Sequence, residues 1–326
     1  MKNTILGCLM VLIILTGFVL GVVQAPAAPI VLKAIAGHPV GDATTDLFLQ
    51  FIDRVNKAAK DKLVIEFKGG PEAIPGREQA EAIRKGIADM GSSTSGLTSS
   101  LVPEALAIYM SGLSGKEQRK SGFYDAVNKY FAEANLLYLV FNGDTNKFAV
   151  FTATKVTKPA DLKGKMMRST ATYDSLFKAL GCKPVSMPHG EVYSAMERGV
   201  VDGFAFPISS IADVGLHEVI KTFIDHPLWN GGQFSIMNLK TWQSLPKNLQ
   251  DILTSVSTDF EEYEVEYWTK KIDKAREALK AKGVKFVKFS SDDAKWYINT
   301  ANEAAWADLL KRAPKTAPAL KKLAGL

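Results

Sequence analysis

The sequence predicts an α/β protein of two lobes braced by one long helix. Three observations lead there. Short apolar runs alternate with helical patterns twice, over residues 30–91 and again over residues 136–204, the signature of a parallel, helix-covered sheet. A single helical pattern runs from Leu245 to Lys282, roughly 50 Å at 1.5 Å per residue and longer than one lobe is wide. The chain has 326 residues, enough for two cores, and no low-complexity linker separates them, so the chain is expected to cross between lobes more than once.

The elements follow in order. Met1-Lys2-Asn3, the apolar stretch Thr4–Val23 and the small residues Ala25-Pro26-Ala27-Ala28 form a secretory leader, or an uncleaved anchor given the length of the apolar run. Ile30–Ile35 is a β run. The loop Gly37-His38-Pro39-Val40-Gly41-Asp42 leads into a helix with apolar positions at Leu47, Phe48, Phe51, Ile52 and Val55. Leu63–Phe67 is a strand, the turn-rich Gly69–Gly76 precedes a helix from about Arg77 to Lys85, and a Ser/Thr/Gly loop runs on to Ser100. Strands follow at Leu136–Phe141, Phe148–Thr152, Lys165–Arg168, Lys183–Ser186, Val201–Phe204 and Phe234–Leu239, with helices at Thr172–Leu180 and Glu191–Arg198. Ser244 is suited to cap the long helix and Gly283 to stop it. Val284–Phe289 is a last strand, and the rest is helical. The expected division is residues 1–28 as leader, residues 29–147 with about 235–285 as one lobe, and residues 148–234 with part of the C-terminal region as the other.

Composition narrows the function. Hydrophobic residues make up 47% and charged residues 23%, which fits neither a disordered chain nor a polytopic membrane protein. The net charge of +6 comes from scattered lysines, a solvated basic surface without the aromatic-interleaved stripes of a nucleic-acid binder. If the leader takes Cys8 with it, Cys182 is the one cysteine left; it sits in a helix-to-strand turn, where a small buried residue is the expected role. HExxH, CxxC, Walker A, GxGxxG and GxSxG patterns do not occur. No metal, cofactor or catalytic residue is expected.

The most specific chemistry lies in Asp161–Pro207. Arg168 ends a strand-like run directly before a Ser-Thr turn and a helical pattern, and a cation beside a helix N-terminus suits a carboxylate. Further candidates for ligand contact are Glu72 after Gly-Gly-Pro, Ser93 and Thr94 after a strand end, Trp229 and Asn230 before the return strand, and His38 after the first strand.

The segment also carries Pro159-Ala160-Asp161-Leu162-Lys163-Gly164-Lys165, Met167-Arg168, Ala179-Leu180-Gly181, Pro184, Met187-Pro188, Glu191-Val192-Tyr193, Ala195-Met196, Gly199-Val200-Val201-Asp202-Gly203 and Pro207. With Gly69-Gly70-Pro71-Glu72, Gly86-Ile87-Ala88-Asp89-Met90 and Leu245-Pro246, it resembles the solute-binding proteins of tripartite ATP-independent periplasmic (TRAP) transporters, DctP type. The resemblance extends over essentially all of the mature chain. It implies a two-lobed, type II-like periplasmic binding protein that closes on a small organic carboxylate and delivers it to TRAP membrane permease subunits. It places the family's carboxylate-pairing arginine on Arg168 and a cleft-facing aromatic position on His189. Two departures stand out. Ala205-Phe206 replaces a common Glu-Asn, which puts Phe206 in the pocket wall. The second arginine found in many members after Asn-Gly has no clean counterpart, and Lys147 is the nearest substitute. Both favour a monocarboxylate with an apolar or aromatic body, such as a 2-oxo acid. The rival readings are the binding subunit of an ATP-driven importer, a ligand-sensing partner of a membrane receptor, and an exported enzyme, which would need a nucleophile–base pair.

Overall fold

The computed structural model describes residues 28–326; the expected leader, all but its last residue, lies outside them. No described helix is long and apolar enough to cross a membrane. Among the described residues eleven strands form two sheets. In chain order they are β1 (Ile30–Ala36), β2 (Leu63–Phe67), β3 (Met90–Ser93), β4 (Leu136–Asn142), β5 (Phe148–Thr152), β6 (Met166–Ser169), β7 (Lys183–Ser186), β8 (Gly203–Pro207), β9 (Thr222–Ile224), β10 (Gln233–Asn238) and β11 (Lys285–Val287). The first sheet has the order β2-β1-β3-β10-β4 and the second β11-β9-β5-β8-β6-β7. This is the two-lobed α/β architecture.

The sheets are mixed, not purely parallel. β10 runs antiparallel to both β3 and β4, and β5 runs antiparallel to β8 and β9. The cause is the crossing. β10 returns from the second sheet and β5 leaves the first, so each enters its sheet from the side opposite to a β-α-β unit.

The helix Lys247–Ala281 braces both sheets. Leu249, Leu253, Phe260 and Trp268 pack with Phe48 and Phe51 against the first sheet. Two turns further on, Ala275 and Leu279 pack with Phe204, Phe206 and Phe223 on the second. These positions recur at near-helical spacing, so one stripe serves two cores. The helix does not begin at Ser244. A separate short helix, Leu239–Ser244, ends there, with the Ser244 hydroxyl donating to Thr241 O at 2.7 Å. Leu245 is extended ahead of Pro246, as a residue before proline prefers. Likewise β8 begins at Gly203, later than the expected Val201. Four helices between Ser95 and Glu133 lie outside the expected elements; Ala105–Met110 is buried at every position, which erases the polar face, whereas Phe123–Glu133 does bury Phe123, Val127 and Phe131 at helical spacing.

The chain crosses between the sheets three times, the last along the long helix to β11; the first two crossings, residues 143–147 and 225–232, run against each other. Gly231 N donates to Asn146 O at 2.5 Å, Phe148 N to Trp229 O at 3.2 Å, and Lys147 pairs with Asn230 in an isolated antiparallel bridge. Behind them lie buried carboxylates. Glu264, fully buried, accepts from Asp144 N at 3.0 Å, and Glu261 accepts from Arg119 Nε and Nη2 at 3.0 and 2.8 Å. Burial pushes the Asp144 carboxyl up to about 7; the Gly115 N–H on its Oδ1 pulls the other way without winning, and Glu261 adds to the rise. Unfolded, an aspartate titrates near 4. The folded chain therefore holds a proton that the unfolded chain has lost, and stability falls as pH rises from about 4 to about 7. Asp144→Asn keeps the acceptor for Gly115 and removes the titration. The variant is expected to lose less melting temperature than the wild type between pH 5 and pH 8. Identical pH slopes would contradict the assignment.

Candidate functional site

A cavity of about 780 Å³ opens between the two sheets. Its chemistry sits at the carboxyl ends of parallel strands, where open α/β sheets bind ligands. His38 and Asp42 follow β1, Thr94 follows β3, Arg168 lies near the end of β6, His189 follows β7 and Phe206 lies near the end of β8.

Arg168 is 3% exposed. In register it lies opposite Val185 on one side and Phe204 on the other. Phe206, two residues beyond Phe204, is on the same face of β8, and the guanidinium stands over its ring at 4.9 Å from the centroid. Nε and Nη2 donate to Met187 O at 3.2 and 3.0 Å. Nη1 is buried with no partner in the protein. Burial lowers the guanidinium's proton affinity, an effect the neighbouring Tyr173 partly offsets, yet an arginine stays charged in a protein. The result is a cation held in place by a carbonyl, with donor capacity unspent and no carboxylate beside it.

The opposite wall comes from the loop after β1. Asp42, 4% exposed, caps the helix Ala43–Ala59. Its Oδ1 accepts from Thr44 N at 2.8 Å and from the Thr44 hydroxyl at 2.5 Å. Its Oδ2 faces His189 Nε2 across the cavity at 3.6 Å, too long for a hydrogen bond. The His189 ring stacks on Phe206 with centroids 4.8 Å apart and meets His38 edge-on at 5.2 Å. Burial first, then the nearby His38 and Arg168, pulls the His189 imidazole down to about 3 against the pull of Asp42. Burial also lowers His38. Both rings are neutral at pH 7. For Asp42 burial opposes ionisation, but the imidazoles and the Thr44 donors outweigh it and hold the carboxyl below its usual value.

Five of the residues singled out in the sequence thus line one cavity: His38, Thr94, Arg168, His189 and Phe206. Five others do not. The exposed Glu72 folds back onto its own loop, with Oε1 accepting from Gly70 N at 2.6 Å, and that N–H holds its carboxyl below the ordinary value. Ser93 is buried beneath the wall, bonded to the Thr98 hydroxyl at 2.8 Å. Lys147 and Asn230 are bonded to each other and belong to the crossing, as does Trp229, buried in the core at 4% exposure. Lys147 is therefore no stand-in for a second cation in the cavity. The cations that do join Arg168 in the lining are the exposed Arg77 and Arg312, neither of which lies in a recognisable motif. Arg77 Nη2 donates to Ser186 Oγ across the cleft at 3.3 Å. Asp42 was visible in the sequence only as the last residue of a loop.

Among the described residues no three His, Cys, Asp or Glu side chains are placed to share a metal ion. Cys182 is buried 3.3 Å from Leu162 O, and burial pushes its thiol up to about 12, which disfavours the thiolate a nucleophile needs. The arrangement suits capture: a fixed cation, a stacked aromatic pair, and acceptors on the facing wall.

Comparison with known proteins agrees. The family model "Bacterial extracellular solute-binding protein, family 7" (DctP) matches residues 36–312. A solute-binding protein of Albidiferax ferrireducens is 27% identical over 278 residues, 82% of either chain. Among solved structures, a TRAP periplasmic solute-binding protein of Desulfovibrio salexigens with bound orotic acid superposes with a TM-score of 0.81 at 19% identity, covering 90% of this chain and 97% of that one. Another from Rhodoferax ferrireducens, with bound malonate, gives 0.77 at 23% identity, covering 90% and 97%.

Proposed function

Because the chain belongs to bacterial extracellular solute-binding protein family 7, the DctP family of TRAP-transporter solute-binding proteins, which serve transport and are not enzymes, we propose that it captures a monocarboxylate with an apolar or aromatic body and hands it to a TRAP permease. The observation that carries this reading is Arg168, buried with an unpartnered Nη1. A buried guanidinium lacking an anion has given up hydration, and a ligand can replace it. A carboxylate does so with charge-assisted, directional bonds. Phe206 and His189 then offer a stacked wall, and each Å² of apolar surface they cover contributes roughly 25 cal/mol. Family members are periplasmic. Here we propose export through the N-terminal leader.

Orotic acid, bound by the Desulfovibrio relative, carries one carboxylate on a flat, polar ring. Malonate in the Rhodoferax relative has two, and Arg77 favours a second reading in which a dicarboxylate is bound. Arg77 is exposed, so its pairing is screened and weak. A competition assay with calorimetry separates the two. Aromatic or branched-chain monocarboxylates, 2-oxo acids included, are expected to displace succinate, malate and a sugar acid. Tightest binding of succinate or of the sugar acid would overturn the apolar-body reading and leave Arg168 as the anchor.

A further inference from the structure

The two walls of the cavity differ in hydrogen-bonding sense. The Arg168 wall offers donors. On the facing wall the Thr44 hydroxyl has one hydrogen, and Asp42 Oδ1 takes it at 2.5 Å. The Thr44 hydroxyl oxygen itself lies 3.2 Å from His38 Nδ1; its one hydrogen being given to Asp42, it accepts there, and Nδ1 carries the proton. A neutral His38 then presents Nε2 as a bare acceptor. Asp42 Oδ2 is a second acceptor without a hydrogen bond, because its neighbour His189 Nε2 stands off at 3.6 Å and is itself buried and unpartnered.

We propose that Asp42 and His38 select ligands that carry a hydrogen-bond donor, an N–H or O–H, on the body beside the carboxylate that Arg168 holds. This rests on the capture reading above and sharpens it. A carboxylate acceptor 4% exposed repels a ligand oxygen placed against it, and leaving it unpaired in a closed site costs more than pairing it gains. A flat ring stacked on Phe206 and His189, with its N–H turned to Asp42, satisfies both walls. A 2-oxo acid brings only acceptors and satisfies the Arg168 wall alone, so among the monocarboxylates it is expected to rank below such a ring.

The test uses two near-isosteric probes, pyrrole-2-carboxylate with a ring N–H and furan-2-carboxylate with a ring oxygen in its place. Calorimetry on the full mature chain is expected to show the pyrrole acid at least about tenfold tighter, the effect of one hydrogen bond to a charged acceptor. Asp42→Asn keeps the helix cap, for which asparagine is as good as aspartate, and turns an amide N–H toward the ligand. The preference is expected to vanish or invert, while the melting temperature of the free protein stays close to wild type. Arg168→Ala should instead weaken both acids by one factor and leave their ratio intact, so failure of the anchor and failure of the selector look different. Equal affinities in the wild type, a tighter furan acid, no binding of either at millimolar concentration, or an unchanged ratio in Asp42→Asn each overturn the proposal.

Discussion

Arg168→Ala is expected to abolish high-affinity binding of the organic acid and to leave a folded protein. The guanidinium is buried, and two of its three nitrogens are bonded to Met187 O. Without it, a carboxylate entering the cavity loses its water and gains no cation. Breaking a buried, hydrogen-bonded charge pair from one side costs about 3–5 kcal/mol, which is two to three decades in affinity or more. The free protein is affected less. The variant leaves the Met187 carbonyl without its donor but also removes a desolvated charge, two effects of opposite sign. Arg168→Lys should also bind weakly, because an ammonium on a flexible stem cannot bond Met187 O and grip a carboxylate in the geometry of a guanidinium. Calorimetry with the tightest acid from the competition assay decides. An affinity within threefold of wild type would remove Arg168 as the anchor.

Gly143→Ala is expected to cost the fold itself. At the crossing the two segments touch backbone to backbone, and a Cβ on Gly143 would overlap the Gly231 carbonyl oxygen. Relief by a side-chain shift is impossible, because the obstacle is main chain. Gly232, at φ +97°, has Asn142 O at 2.5 Å from where its own Cβ would stand, so the partner segment cannot retreat into an ordinary conformation either. Moving the segments apart breaks the bond from Gly231 N to Asn146 O. Such overpacking falls among the exceptional substitutions, above about 4 kcal/mol. It should appear as loss of soluble protein or a melting temperature lower by roughly 10 °C or more. Gly190→Ala is the control, since a Cβ there meets nothing within 4 Å. A Gly143→Ala protein that melts with the wild type would contradict this account of the crossing.

The sequence made most of the α/β elements legible because their signals are local. The apolar stripe of the long helix, the loop that leads into the helix at Ala43 and the glycine after Ala281 are all read within a few residues. Arg168 was legible for the same reason, as a cation between a strand and a helix start, and the family motif falls on that same stretch. The antiparallel placement of β5 and β10 was not, because strand direction depends on which sheet a segment joins and nothing in the segment itself encodes the partner.

What the sequence determined by itself is the α/β class with its bracing helix, the solute-binding family and a buried-cation candidate at Arg168. Tertiary structure decided which residues share the cavity. It set Asp42 beside His189 and stacked His189 on Phe206. It brought Arg77 to the lining and drew Lys147 and Asn230 away into a crossing. The physical reason is that side-chain identity tells what a group can bond, whereas its partner is chosen by how the two sheets meet. Asp42 reads locally as the last residue of a loop and Lys147 as the nearest substitute for a second arginine. Only the meeting of chain segments far apart in sequence left one with an open acceptor in the cavity and gave the other a partner outside it.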